Sequence, residues 1–158
     1  MTLVVDASVA LACVLPDEMG ETAVKEVSQR WRAGEPLIAP FHFPVELLSG
    51  IEQAARRGRL DEADRAEAYA AAVEPGIELV TLPVEGGRGI PPLFDLIDRS
   101  GLRTYDALYL QLAMARLAPL ASMDERLRIA AAAAGVELVP SSLQRSPAGP
   151  GRRKPTAR

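Results

Sequence analysis

The stretch Leu3-Val4-Val5-Asp6-Ala7-Ser8 decides how the rest of the chain is read. An apolar run containing two β-branched residues ends in a carboxylate and then a hydroxyl. This is the pattern of a short buried strand that delivers Asp6 to its C-terminal end. In open parallel α/β sheets that end of the strands is where ligands bind. A buried acid there is costly unless something positive compensates it, so the residues able to meet Asp6 matter most.

Working outward, Ser8 and the apolar run to Leu15 predict a first helix closed by Pro16, and Glu21 to Trp31 a second, stopped at Gly34. Pro36 to Pro40 is a minimal strand. Phe43 to Arg57 is a third helix, with Pro44 in its first turn and Leu47, Ile51, Ala54 and Ala55 as its apolar stripe. Asp61 to Ala72 predicts a fourth helix and Gly76 to Leu82 a strand. A Gly/Pro loop, 86–92, precedes a short helix to about Arg99. Tyr105 to Arg116 is apolar nearly all round, as expected of a helix buried against a sheet. Pro119 to Ala121 is a strand; Ser122 with Glu125 forms a capping box opening a helix through Ala134; Val136 to Val139 is the last strand. Strands alternating with helices specify an α/β fold, a mostly parallel sheet of four to five short strands with helices on both faces. Residues 1–140 form one domain, and 141–158, rich in Ser, Pro, Gly and Arg, are expected to be a disordered basic tail.

The tail dominates the charge distribution. The formal net charge of the 158 residues is −3, yet Arg145, Arg152, Arg153, Lys154 and Arg158 lie beyond the last acid. Taking those five from the 18 basic residues leaves 13 against 21 acids over 1–144, a net −8. Such a body is no simple phosphate-tracking surface. Nucleic acid would have to approach through metal ions or local arginines. Cys13 is alone, which excludes an internal disulfide and a thiolate metal cage. No stretch approaches a membrane span or a signal segment, so a cytoplasmic protein without membrane contact is expected.

Four acids fall at one level of this scheme. Asp6 closes the first strand. Glu46 lies in the first turn of the third helix, and Asp106 follows Thr104, a good N-cap. Asp124 follows Ser122 in the same way. Taken singly, an acid in a first turn is explained by the helix macrodipole, worth about 0.3–1 kcal/mol. Gathered at the strand ends, the four would raise one another's pKa values unless a cation sat between them. Hard divalent ions prefer such oxygen ligands. Ser8, Thr104 and Ser122 add hydroxyls able to orient the carboxylates, and Arg103 and Arg126 adjoin two of the acids as candidates for holding phosphates.

With these residues assembled, the chain resembles a PIN domain, in particular the VapC-type toxins of type II toxin–antitoxin pairs. The similarity rests on Val4-Val5-Asp6-Ala7-Ser8, on Pro44-Val-Glu46-Leu-Leu with Ala55-Arg-Arg-Gly58-Arg-Leu60, on Thr104-Tyr-Asp106-Ala-Leu-Tyr-Leu-Gln-Leu-Ala113, and on Leu120-Ala-Ser-Met-Asp124-Glu-Arg-Leu127 with Ala134-Gly-Val136, in the family's order. The resemblance implies a three-layer α/β/α sandwich. It also implies a Mg²⁺- or Mn²⁺-dependent endoribonuclease whose catalytic and metal-binding residues are Asp6, Glu46, Asp106 and Asp124. A homodimer held inactive by a small antitoxin belongs to the same expectation. Ser122 stands where the family often has threonine, and the 86–92 loop and the basic tail are particular to this chain.

Other signals carry less. His42, the only histidine, has no nearby serine or cysteine to activate and is assigned a structural role. Gly86-Gly-Arg-Gly lacks the frame of a P-loop. Trp31, Phe41, Phe43 and Phe94 are too scattered for a base-stacking platform. A haloacid-dehalogenase-type phosphatase would need a second Asp where Ser8 stands, and a receiver domain a suitably placed lysine, whereas only Lys25 and Lys154 occur. A PIN-like module that binds without cutting is the remaining alternative.

Overall fold

The computed structural model describes residues 2–15, 20–81 and 89–143. Five strands form one sheet: β1 (Leu3–Val5), β2 (Leu37–Pro40), β3 (Glu78–Val80), β4 (Leu120–Ala121) and β5 (Leu138–Val139). Every pairing is parallel, in the order β3-β2-β1-β4-β5. Between the strands run α1 (Ala7–Val14), α2 (Glu21–Arg32), α3 (Phe43–Arg56), α4 (Arg65–Val73), α5 (Ile90–Ser100), α6 (Thr104–Arg116) and α7 (Glu125–Ala133). Among the described residues no helix is long and apolar enough to cross a membrane.

The central strand shows why the sheet is sandwiched. Leu3 and Val5 point into a smaller core with Val9, Ala23, Val27 and Leu37, backed by Trp31. Val4 points the other way, into a larger core with Ile38, Leu120 and the buried face of α6. This is the strand's two-residue period, and both faces are apolar because both are covered. The α6 helix lies across β1 and β2 and is buried through Ala107–Leu110, Leu112 and Ala113, as its near-uniform hydropathy predicted.

Four boundaries differ from expectation. Ile90, Pro91 and Pro92 are already the first turn of α5, where prolines lose no intrahelical bond, so the expected loop ends at Gly89. Residues 86–88 and most of the expected tail, 144–158, lie outside the described residues. The fourth helix is split into a 3₁₀ turn at Glu62–Asp64 followed by α4. At α6 the cap position is Arg103, and Thr104 is the first helical residue. At α7 the N-cap is Asp124, whose carboxylate accepts from the Leu127 amide, so the Ser122–Glu125 capping box does not form.

The connections place the site. From β1 the chain steps outward to β2 and β3, then returns to the opposite side of β1 to form β4. The strand order reverses between β1 and β4, and a crevice opens beyond the carboxyl ends of strands at such a point. Asp6 follows β1 there, and Ser122 follows β4.

Candidate active site

Asp6 is 8% exposed, with its amide bonded to the Ala121 carbonyl of β4. Its Oδ2 accepts from Ser8 Oγ at 2.5 Å and from the fully buried Ser122 Oγ at 2.7 Å. Ser8 Oγ in turn accepts from the Met123 amide, and Ser122 Oγ from the Asp124 amide, both at 3.0 Å. A closed ring of hydrogen bonds thus ties the ends of β1 and β4 together around one carboxylate. Burial pushes the Asp6 pKa up to about 6; the two hydroxyls oppose that shift and the Glu46 charge adds to it.

The other three acids lie at helix starts. Glu46, half-buried in the first turn of α3, accepts from Tyr109 Oη at 2.7 Å and faces His42 Nε2 at 3.4 Å. Burial raises its pKa, but His42 and Tyr109 outweigh that and hold it below the usual range. Asp106, in the first turn of α6, is pushed up by burial and by the charges of Asp124 and Glu46, with Arg103 and Arg126 opposing. Asp124 is exposed and caps α7. The mutual effects link Asp6 to Glu46, and Asp106 to both Glu46 and Asp124, so the four share one electrostatic field. Among the described residues, no three His, Cys, Asp or Glu side chains stand close enough to cage a metal directly. Beside Ser8 and Asp124 opens a groove of about 420 Å³, lined further by Leu11, Gln53, Arg57 and Arg59.

Of the hydroxyls expected to orient the acids, Ser8 and Ser122 do so, both on Asp6. Thr104 does not: it is exposed and its hydroxyl makes no hydrogen bond among the described residues. Arg103 and Arg126 are exposed beside the acids and act on Asp106 through charge. Three participants escaped the sequence. Tyr109 and His42 contact Glu46, although the first reads as one more core aromatic and the second as a lone structural histidine. Arg128, buried on α7, donates from Nη1 to the Ser122 carbonyl at 2.8 Å and from Nη2 to the Pro140 carbonyl at 2.7 Å. It clamps the ends of β4 and β5, and its only local signal is an arginine on the face of a helix that is otherwise buried.

Comparison with known proteins identifies the family and the fold. The PIN domain family model matches residues 3–133. A VapC ribonuclease of Mycobacterium bovis and ribonuclease VapC9 of Mycobacterium tuberculosis are each 34% identical over 127 residues, spanning 79% of this chain and 87% of the relative. Among solved structures, PAE2754 from Pyrobaculum aerophilum shares the fold with a TM-score of 0.66 at 19% identity, over 89% of this chain and 85% of that one. VapC20 of Mycobacterium tuberculosis, a sarcin–ricin loop cleaving toxin, does so at 0.51 and 14% identity, over 82% and 95%.

Proposed function

This chain belongs to the PIN domain family, and from that premise we propose that it is a divalent-metal-dependent endoribonuclease, the toxin of a toxin–antitoxin pair. The observation that carries this is Asp6: an acid buried at the switch point of a parallel sheet, gripped by two hydroxyls and coupled through Glu46 to the charges of Asp106 and Asp124. Such an arrangement costs stability by itself and makes sense as a built cation site.

The donor set fits Mg²⁺ or Mn²⁺. All four acids offer oxygen, and the pKa values of Asp6 and Asp106, raised by burial first and by neighbouring acids after it, mark charges that a cation would stabilise. Mg²⁺ keeps several of its waters and is bound through one or two carboxylates, so it does not require a closed cage. Asp6, Glu46, Asp106 and Asp124 would hold it, directly or through water. The bound cation would supply Lewis-acid polarisation of the scissile phosphate and an acidified water. The chain's own contribution is positioning. Ser8 and Ser122 fix the Asp6 carboxylate through Oδ2. Arg103 and Arg126, beside Asp106, would receive phosphate oxygens of RNA, offsetting the −8 of the body.

A small antitoxin partner and a homodimer complete the proposal. Phe41, Val45 and Leu48, exposed apolar residues along the start of α3, are surface that association would cover. The test is purified protein with mixed RNAs in Mg²⁺, Mn²⁺ or EDTA. Cleavage that needs the metal and disappears in Asp6→Asn supports the assignment. RNA binding without cleavage under all conditions points instead to a binding module, and phosphate release from small esters to a phosphatase.

A further inference from the structure

Glu46, like Asp6, is held through a single oxygen, but its holders are a phenol and an imidazole rather than serine hydroxyls. Two side chains from different elements converge on the same oxygen, Oε2: Tyr109 Oη of α6 at 2.7 Å and His42 Nε2, one turn before Glu46, at 3.4 Å. Tyr109 is fully buried and His42 is 4% exposed. The imidazole is boxed by aromatic rings, with centroids 4.9 Å to Tyr105, 5.2 Å to Tyr109 and 5.5 Å to Phe41. Among the described residues, neither of its nitrogens has a hydrogen-bond partner. Burying an imidazole unpartnered is costly, and an apolar residue would fill an aromatic box without that cost. The contact to Glu46 is about 0.5 Å longer than an ordinary hydrogen bond, a gap typical of sites that tighten when loaded.

We infer that Tyr109 and His42 are positioning residues that hold Glu46 by Oε2 and present Oε1 to the cation site. The inference rests on the metal-dependent reading above and extends it to two residues outside the acid set. Burial, with the Asp6 and Glu46 charges, raises the Tyr109 pKa and keeps its hydroxyl a donor. One fixed oxygen removes the carboxylate's freedom to turn, and loss of such an orienting partner typically costs about 10–100-fold in metal affinity.

The test is Mn²⁺ titration followed by electron paramagnetic resonance of the free ion, on the full chain. Glu46→Gln, which should weaken binding, is the reference. Tyr109→Phe keeps the ring and is expected to weaken Mn²⁺ binding by about tenfold or more. The same change in a Glu46→Gln background should add nothing, because its effect passes through that carboxylate. His42→Leu should weaken binding comparably, whereas His42→Gln, which keeps a donor near the Nε2 position, should restore most of it. Near-wild-type affinity in Tyr109→Phe, or an effect of equal size in both backgrounds, overturns the inference while leaving the acid site standing. If Tyr109→Phe does not fold, the two His42 variants decide, and equal affinities for them overturn it. If Mn²⁺ does not bind the wild type, or binds it no better than Glu46→Gln, Glu46 is no ligand and the metal reading fails with the inference.

Discussion

Asp6 and Asp124 are separated by a single hydroxyl. Ser122 Oγ donates to Asp6 Oδ2 and accepts from the Asp124 amide. From there the two acids diverge. Asp6 is buried at a strand end, and burial dominates its titration. Asp124 is exposed and spends one oxygen capping α7, so it contributes to stability whatever else it does. Asp6 also stands at the N-cap of α1 but its side chain makes no capping hydrogen bond there, so helix capping does not explain its burial, while Asp124 has that ordinary structural reason to be where it is. Function is therefore more securely inferred from Asp6 than from Asp124, although both would face the same cation.

The widest separation between them should come from Asp6→Asn. The asparagine carbonyl can still accept both serine hydroxyls, so the ring of hydrogen bonds survives while the charge is lost. RNA cleavage should fall by about a thousandfold or more, the scale of losing a group that stabilises charge at the reaction centre. Stability without metal should rise. Cleavage assays paired with chemical denaturation in EDTA check both; retained cleavage would remove Asp6 from the site.

The pH profile sharpens the same contrast. The Asp6 carboxyl titrates near 6 in the folded chain against about 3.9 unfolded. Between those values the folded state binds the extra proton, so the Asp6 contribution makes stability fall as pH rises. The penalty is absent below about pH 4, complete above about pH 6.5, and amounts to roughly 3 kcal/mol. Subtracting the profile of Asp6→Asn from that of the wild type isolates this slope from the other acids. A flat difference would mean that Asp6 is not desolvated. Mg²⁺ should stabilise the wild type above pH 6 and the variant far less.

The sequence carried the fold further than it carried the site. Continuous apolar runs such as Leu3-Val4-Val5 and Leu37-Ile-Ala can be read because a strand covered on both faces admits little else. Glycines such as Gly58 and Gly135, with φ of 68° and 74°, mark helix ends for an equally local reason. The places of the four acids at strand and helix ends were legible by position. What orients them was not, since a buried polar group takes its partner from wherever the fold supplies one. Ser122 looks like an N-cap locally, yet its hydroxyl goes to Asp6, 116 residues away, and the cap passes to Asp124. Tyr109 reaches Glu46 across 63 residues. Thr104 had the same local look as Ser122, and among the described residues no distant partner claims its hydroxyl.

Ser122→Ala cuts the link between the two acids. It leaves Asp6 with one hydroxyl fewer and the Asp124 amide unpaired, which should cost about 1–3 kcal/mol. It should also move the stability transition assigned to Asp6 to higher pH, since the hydroxyl favours the ionised form. Loss of stability with an unmoved transition would show that Ser122 acts by packing alone.

The smallest effect is the one that separates a cap from a ligand. Asparagine caps a helix about as well as aspartate, and alanine does not. Asp124→Asn should therefore leave stability nearly unchanged, while Asp124→Ala should lose about 1 kcal/mol through the free Leu127 amide. If Asp124 also faces the cation, both variants should lose cleavage and Mn²⁺ affinity to a similar degree despite that difference in stability. If cleavage instead tracks stability, with Asp124→Asn active and Asp124→Ala impaired, Asp124 is a helix cap and the cation site consists of the remaining three acids.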